Sequence, residues 1–166
     1  MDRCPDGGKP WRTWITPLLK EMGVIVFDPT NKPIKTGTES VEGRFYRECL
    51  KQESKYDQLS AEYRQISNVD LRMVDVVDFL IVHLDLDIYP AGTIYEMVVA
   101  NMQKKPILLH MEQGKNKVPD WWFGRLPHKE FFSDWNDMVH YLRYINLGNN
   151  PHSNRWLFFD KEVLIA

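Results

Sequence analysis

The chain has 166 residues, 43% hydrophobic and 27% charged, with a formal net charge of −2. That length fits one domain, 1–166, with a core large enough to fold without staples. Near-neutral charge excludes a basic nucleic-acid footprint, and no apolar run is long enough to span a bilayer.

From the N-terminus, MDRCPDGGKP reads as loop. Trp11, Trp14, Ile15, Leu18, Leu19 and Met22 then fall on one helical face. Pro17 leaves two options: a helix capped by Thr16, or a longer helix with Pro17 inside it. Gly23 closes it, and Val24–Phe27 reads as a short strand stopped by Asp28-Pro29. A polar loop with Pro33 and Gly37 leads to a long charged helix from Gly43 to about Ile66, with a thin apolar stripe of Phe45, Cys49, Tyr56, Tyr63 and Ile66. Cys49 on that stripe reads as a buried free thiol. Neither it nor Cys4 has metal-ligand spacing.

A short helix starting near Ser67 carries Leu71, Val74 and Val77 into the apolar strand Phe79–Leu84. After Pro90-Ala91-Gly92 a helix restarts at Thr93 and runs to Met102; a strand follows at Ile107–His110. Glu112–His128, rich in Gly, Pro and Trp, reads as a long loop. Trp135, Met138, Val139 and Leu142 mark a further amphipathic helix, and Trp156–Phe159 a last strand. Alternating elements of this kind predict an α/β fold, a three-layer doubly wound parallel sheet of the flavodoxin/Rossmann-like type. The usual first strand has no counterpart in the opening residues: either the sheet is one strand short or the chain starts after it.

Two carboxylates stand out. Glu96 follows Thr93 by three residues, the spacing of a capping box, and Asp70 follows Ser67 in the same way. Each is therefore either a helix-capping group or a functional carboxylate at the carboxyl rim of the sheet, where open α/β folds bind ligands. Gly92 leaves main chain uncovered beside Glu96, so that a ligand can approach closely. The lysine pairs Lys104-Lys105 and Lys115/Lys117 read as solvated surface, and no nucleic-acid partner is expected.

Asp70, then Asp78-Phe79-Leu80-Ile81-Val82, then Gly92-Thr93-Ile94-Tyr95-Glu96 and Ala100 resemble the nucleoside 2-deoxyribosyltransferase superfamily, which includes nucleoside 5′-monophosphate N-glycosidases. The resemblance covers roughly residues 1 to 110. It implies Glu96 as nucleophile on the anomeric carbon, and Asp70 as the second carboxylate, which orients the sugar or handles the proton on the departing base. It further implies that Gly92 and Thr93 hold the sugar or phosphate and that the loop Asp2 to Gly8 lines the base. Trp11 and Trp121 are added as candidate substrate-binding aromatics.

Pro90-Ala91 stands where many family members carry an Asp or Ser beside the glycine. The implied partners are a nucleoside or nucleotide and a free base, with neither cofactor nor metal. A homo-oligomer in the cytoplasm is expected, and transfer and hydrolysis stay open. The alternatives are a nucleotide-binding module without chemistry, and an interaction protein that docks through Trp121, Trp122 and Trp135.

Overall fold

The segment ILLHM, Ile107–Met111, forms β2, buried at all five positions, as a strand covered on both faces must be. In the computed structural model, which describes residues 8–32, 41–149 and 151–159, β2 lies at the centre of a three-stranded parallel sheet of order β1-β2-β3. β1 is Leu80–Leu84 and β3 the two residues Phe131–Phe132. Leu80 pairs with Ile107 and Leu84 with Met111, and Leu109 pairs with Phe131.

Successive strand side chains point to opposite faces, and the core divides accordingly. Val82, Leu84, Ile107, Leu109 and Met111 meet Val74 of α3 (Tyr56–Val76), Met97 and Ala100 of α4 (Ala91–Met102) and Trp122 of α5 (Asp120–Phe123). On the opposite face Leu108 and Phe132 meet Ile15 and Leu19 of α1 (Lys9–Glu21) and Met138, Leu142 and Ile145 of α6 (Trp135–Asn146). Helices thus cover both faces, an α/β arrangement around an open parallel sheet.

Several local expectations need correction. α1 begins two turns before Thr16 and passes through Pro17, with Gly8 at its N-cap in the left-handed region (φ 66°). Its end is as expected. Gly23 has φ 82°, and the Gly23 and Val24 N–H groups donate to Lys20 O and Leu19 O, the paired bonds of a glycine-terminated helix. Val24–Phe27 is no strand of the sheet, although Ile25 and Phe27 are exposed and Val24 and Val26 pack on the α1/α6 core. Its side chains alternate, but no strand pairs with it among the described residues. The question of an opening strand falls partly on residues 1–7, which, like Pro33 and Gly37, lie outside the described residues.

The long helix divides differently from the expectation. α2 (Val41–Gln52) stops at Glu53–Lys55, where Ser54 takes φ 55°, and α3 then runs unbroken through Ser67 to Val76. Cys49, on α2, is free and half-buried. Trp156–Phe159 belongs to a 3-10 helix, Asn154–Phe159, in place of a strand. The 112–128 loop holds a 3-10 turn, Lys115–Lys117, and the short helix α5.

Candidate active site

The two carboxylates occupy positions that apolar residues would normally fill. On α3 the buried residues are Ile66, Asp70 and Val74, steps of four along one stripe. On α4, Thr93, Glu96, Met97 and Ala100 follow the 3- and 4-residue spacing of a core-facing stripe; Met97 and Ala100 are fully buried and Glu96 half-buried. Neither acidic residue is a cap. Asp70 lies deep inside α3, and α4 starts at Ala91 with Pro90 at its N-cap and no acidic residue in its first turn. Thr93 is therefore the third helical residue and Glu96 the sixth, which removes the capping-box geometry.

α3 and α4 pack together and end together at the amino edge of the sheet. Gln103 Nε2 donates to Asp75 Oδ1 (2.8 Å), and Lys105 Nζ donates to Val74 O and Asp75 O. Counting back from Asp75 and Gln103 at 1.5 Å per residue puts Asp70 about 7 Å and Glu96 about 10 Å from that end. The main-chain positions of the two residues thus fall within one helical turn of the same level.

Asp70 is held by Lys32. Lys32 Nζ lies 2.6 Å from Asp70 Oδ1, with the lysine side chain fully shielded and the carboxylate 9% exposed. Burial raises the Asp70 pKa and the lysine opposes it, with a net upward shift; desolvation here outweighs the adjacent charge.

The other candidate residues separate. Gly92 and Thr93 share the first turn of α4 with Ala91, and a Cβ built on Gly92 would meet nothing within 4 Å. Gly8 and Trp11 lie at the start of α1, on the opposite face of the sheet. There Trp11 stacks on Trp135 (centroids 4.7 Å apart), with Arg12 over its ring. Trp121 is 69% exposed on α5, under the Arg125 guanidinium. Asp2 lies outside the described residues. Trp121, Trp122 and Trp135 form no common docking patch, because Trp122 is buried and Trp135 stacks on His110.

A second constellation was not singled out in the sequence. His83 and His110 are register partners, each the fourth residue of its strand, on the α1/α6 face near the carboxyl edge. Their Nδ1 atoms are 3.0 Å apart, and His83 Nε2 is 3.8 Å from Glu112 Oε2. Burial, reinforced by His83, pushes the His110 pKa down to about 4. Each of His83, His110 and Glu112 offers one donor atom within 4.8 Å of the others, where no metal site was expected. The available signal was a histidine interrupting each of two apolar strands at the same place, IVHL and LLHM.

The loops above this edge are tied together. Gln113 Nε2 donates to Asp85 Oδ1 (2.6 Å), and the Leu86 N–H donates to Gln113 Oε1 (3.1 Å). Comparison with protein-family models, curated proteins and solved structures returns no match. No helix among the described residues is long and apolar enough to cross a membrane.

Proposed function

We propose that this chain cleaves or exchanges the N-glycosidic bond of a (deoxy)nucleoside or nucleoside 5′-monophosphate through a glycosyl ester on Glu96. The observation that carries the reading is the placement of Asp70 and Glu96 at one level of the paired helices α3 and α4, each on a core-facing stripe. A carboxylate in such a position costs stability that an apolar residue would not.

In this reading a Glu96 carboxylate oxygen bonds to the anomeric carbon as the bond from that carbon to the base nitrogen breaks. The bonding pair leaves with the base, which takes a proton from the Asp70–Lys32 pair. Burial raises the Asp70 carboxyl above its ordinary value while Lys32 opposes it, a direction that favours passing a proton through this group. Water or a second base, giving its proton back to that pair, then displaces Glu96 from the anomeric carbon with net retention. Gly92 and Thr93 hold the sugar or its phosphate on main-chain groups at the open first turn of α4.

The proposal includes the finer fold. α4 and α5 lie on one face and α1 and α6 on the other, the distribution a doubly wound, flavodoxin/Rossmann-like sheet produces when its winding reverses. It also includes assembly into a homo-oligomer, for which exposed Phe45, Tyr46 and Tyr56 on α2 and α3 offer apolar surface.

A second reading, nucleotide binding without turnover, is favoured by Pro90-Ala91 beside the glycine and by the lysine that already occupies Asp70. The test is a panel of ribo- and deoxyribonucleosides and their 5′-monophosphates, with and without a second free base, followed by chromatography for free or exchanged base. Base release or exchange by wild type supports the glycosyl reading. Silence from folded protein that still binds a panel member supports the binding module.

A further inference from the structure

We propose that His83, His110 and Glu112 form a binding site for a divalent transition ion of the zinc type, on the sheet face opposite Asp70 and Glu96. Parallel pairing brings the two histidines together: His83 and His110 are direct partners in the β1–β2 register. Glu112 follows β2 immediately, and its N–H donates to Leu84 O (2.9 Å), which carries the ladder one residue past the strands and sets its side chain above the pair. Two imidazoles and one carboxylate match the donor preference of borderline divalent ions over the all-oxygen preference of Mg²⁺ and Ca²⁺. Three protein ligands leave a coordination position for an outside oxygen donor, as in reactive zinc sites.

The histidine spacing fits, and the three donor atoms, within 4.8 Å of one another, must draw closer around an ion. A tetrahedral zinc with bonds of about 2.0 Å holds two nitrogens roughly 3.3 Å apart, and the Nδ1 atoms are now at 3.0 Å. The groups that must turn are the more exposed ones: Glu112 is 55% and His83 21% exposed, whereas His110 is buried. His110 is fixed from two sides. Its ring lies flat on Trp135, with centroids 4.1 Å apart and planes 8° apart, and it bonds to the Ser133 main chain. An outer hydrogen bond of this kind fixes a ligating imidazole's tautomer and aim. Asp134 adds negative charge beside His110, and Asp85, held by Gln113, lies in the loops above the same edge.

The alternative is a histidine pair that only hydrogen-bonds within itself. Tag-free, full-length protein, stripped with chelator and dialysed, would be titrated with Zn²⁺ by calorimetry and with Co²⁺ by visible absorption. The expected result is one ion per chain, with affinity at least about 100-fold weaker in His83→Gln and about 10-fold weaker in Glu112→Gln, both shown folded by circular dichroism. Nitrogen-15 spectra of wild type supply a readout that needs no variant: Zn²⁺ should shift ring-nitrogen resonances of both His83 and His110. No binding by wild type, binding that His83→Gln leaves unchanged, or Zn²⁺-induced shifts that spare these two rings would overturn the site. None of these results depends on glycosidic activity.

Discussion

Lys32 and Asp70 form a buried ion pair at 2.6 Å that joins the segment after α1 to the middle of α3. Pairs of this kind are asymmetric in their energetics: removing one partner strands a charge away from water, whereas replacing both with apolar residues is often tolerated. Lys32→Met should therefore destabilise the protein by about 3–5 kcal/mol in urea unfolding, and Lys32→Met/Asp70→Leu should recover most of the loss. If Lys32→Met alone costs less than about 1 kcal/mol, the pair does not hold these elements together.

Gly92 offers a way to separate folding from function. It is exposed in the first turn of α4 at an ordinary helical φ, and an added Cβ meets nothing. Gly92→Ala should raise stability by about 0.5–1 kcal/mol through helix propensity alone. If main chain here approaches the sugar or phosphate, the same methyl should raise KM several-fold while kcat changes little. A stabilised variant with unchanged KM would remove Gly92 from the binding surface.

A third prediction concerns the buried network under α6. Glu130 Oε1 accepts from Trp156 Nε1 (2.6 Å) and from Tyr141 OH (3.5 Å), and the Tyr141 oxygen accepts from the His152 N–H (3.3 Å). Burial raises the Glu130 carboxyl and pushes the Tyr141 phenol up to about 12. An unfolded tyrosine ionises near 10, so between pH 10 and 12 the folded state binds the extra proton. Stability must then fall as pH rises through that window, by about 2 kcal/mol from this group. Ultraviolet titration should show one tyrosine ionising well after the others, and Tyr141→Phe should abolish that late component. A titration in which no tyrosine lags contradicts the burial argument.

The parts of the fold legible in the sequence are those whose pattern is dense. Phe79–Leu84 and Ile107–His110 announce β1 and β2 to within a residue, because an apolar run bounded by breakers has few other readings. α4 was legible in extent but not in its start. The T-x-x-E frame suggested a cap at Thr93, whereas Pro90 with Ala91-Gly92 begins the helix earlier. The same frame misled at Ser67, where the stripe of Ile66, Asp70 and Val74 continues across it. In both helices periodicity outweighed the capping pattern.

Elsewhere the signal was too short or too distant to read. The α2–α3 break falls on Glu-Ser-Lys, with no glycine or proline to mark the positive φ of Ser54. β3 is two residues long, and the 3-10 helix that replaces the last expected strand seats Trp156 against Glu130. Asp70 and Glu96 could be named from spacing and resemblance. Lys32 could not, since its partner lies 38 positions away in a separate element. Nor could the histidine pair, which exists only once β1 and β2 are in register.

The most direct test of the glycosyl reading is chemical capture of the intermediate. Wild-type protein and Glu96→Gln would be mixed with a substrate from the nucleoside panel, quenched rapidly in acid, digested and mapped by mass spectrometry. The account predicts a pentosyl or pentosyl-phosphate adduct on the peptide carrying Glu96 in wild type, and neither adduct nor base release in Glu96→Gln, which retains its fold. Base release that persists in Glu96→Gln, or an adduct on another residue, would contradict it.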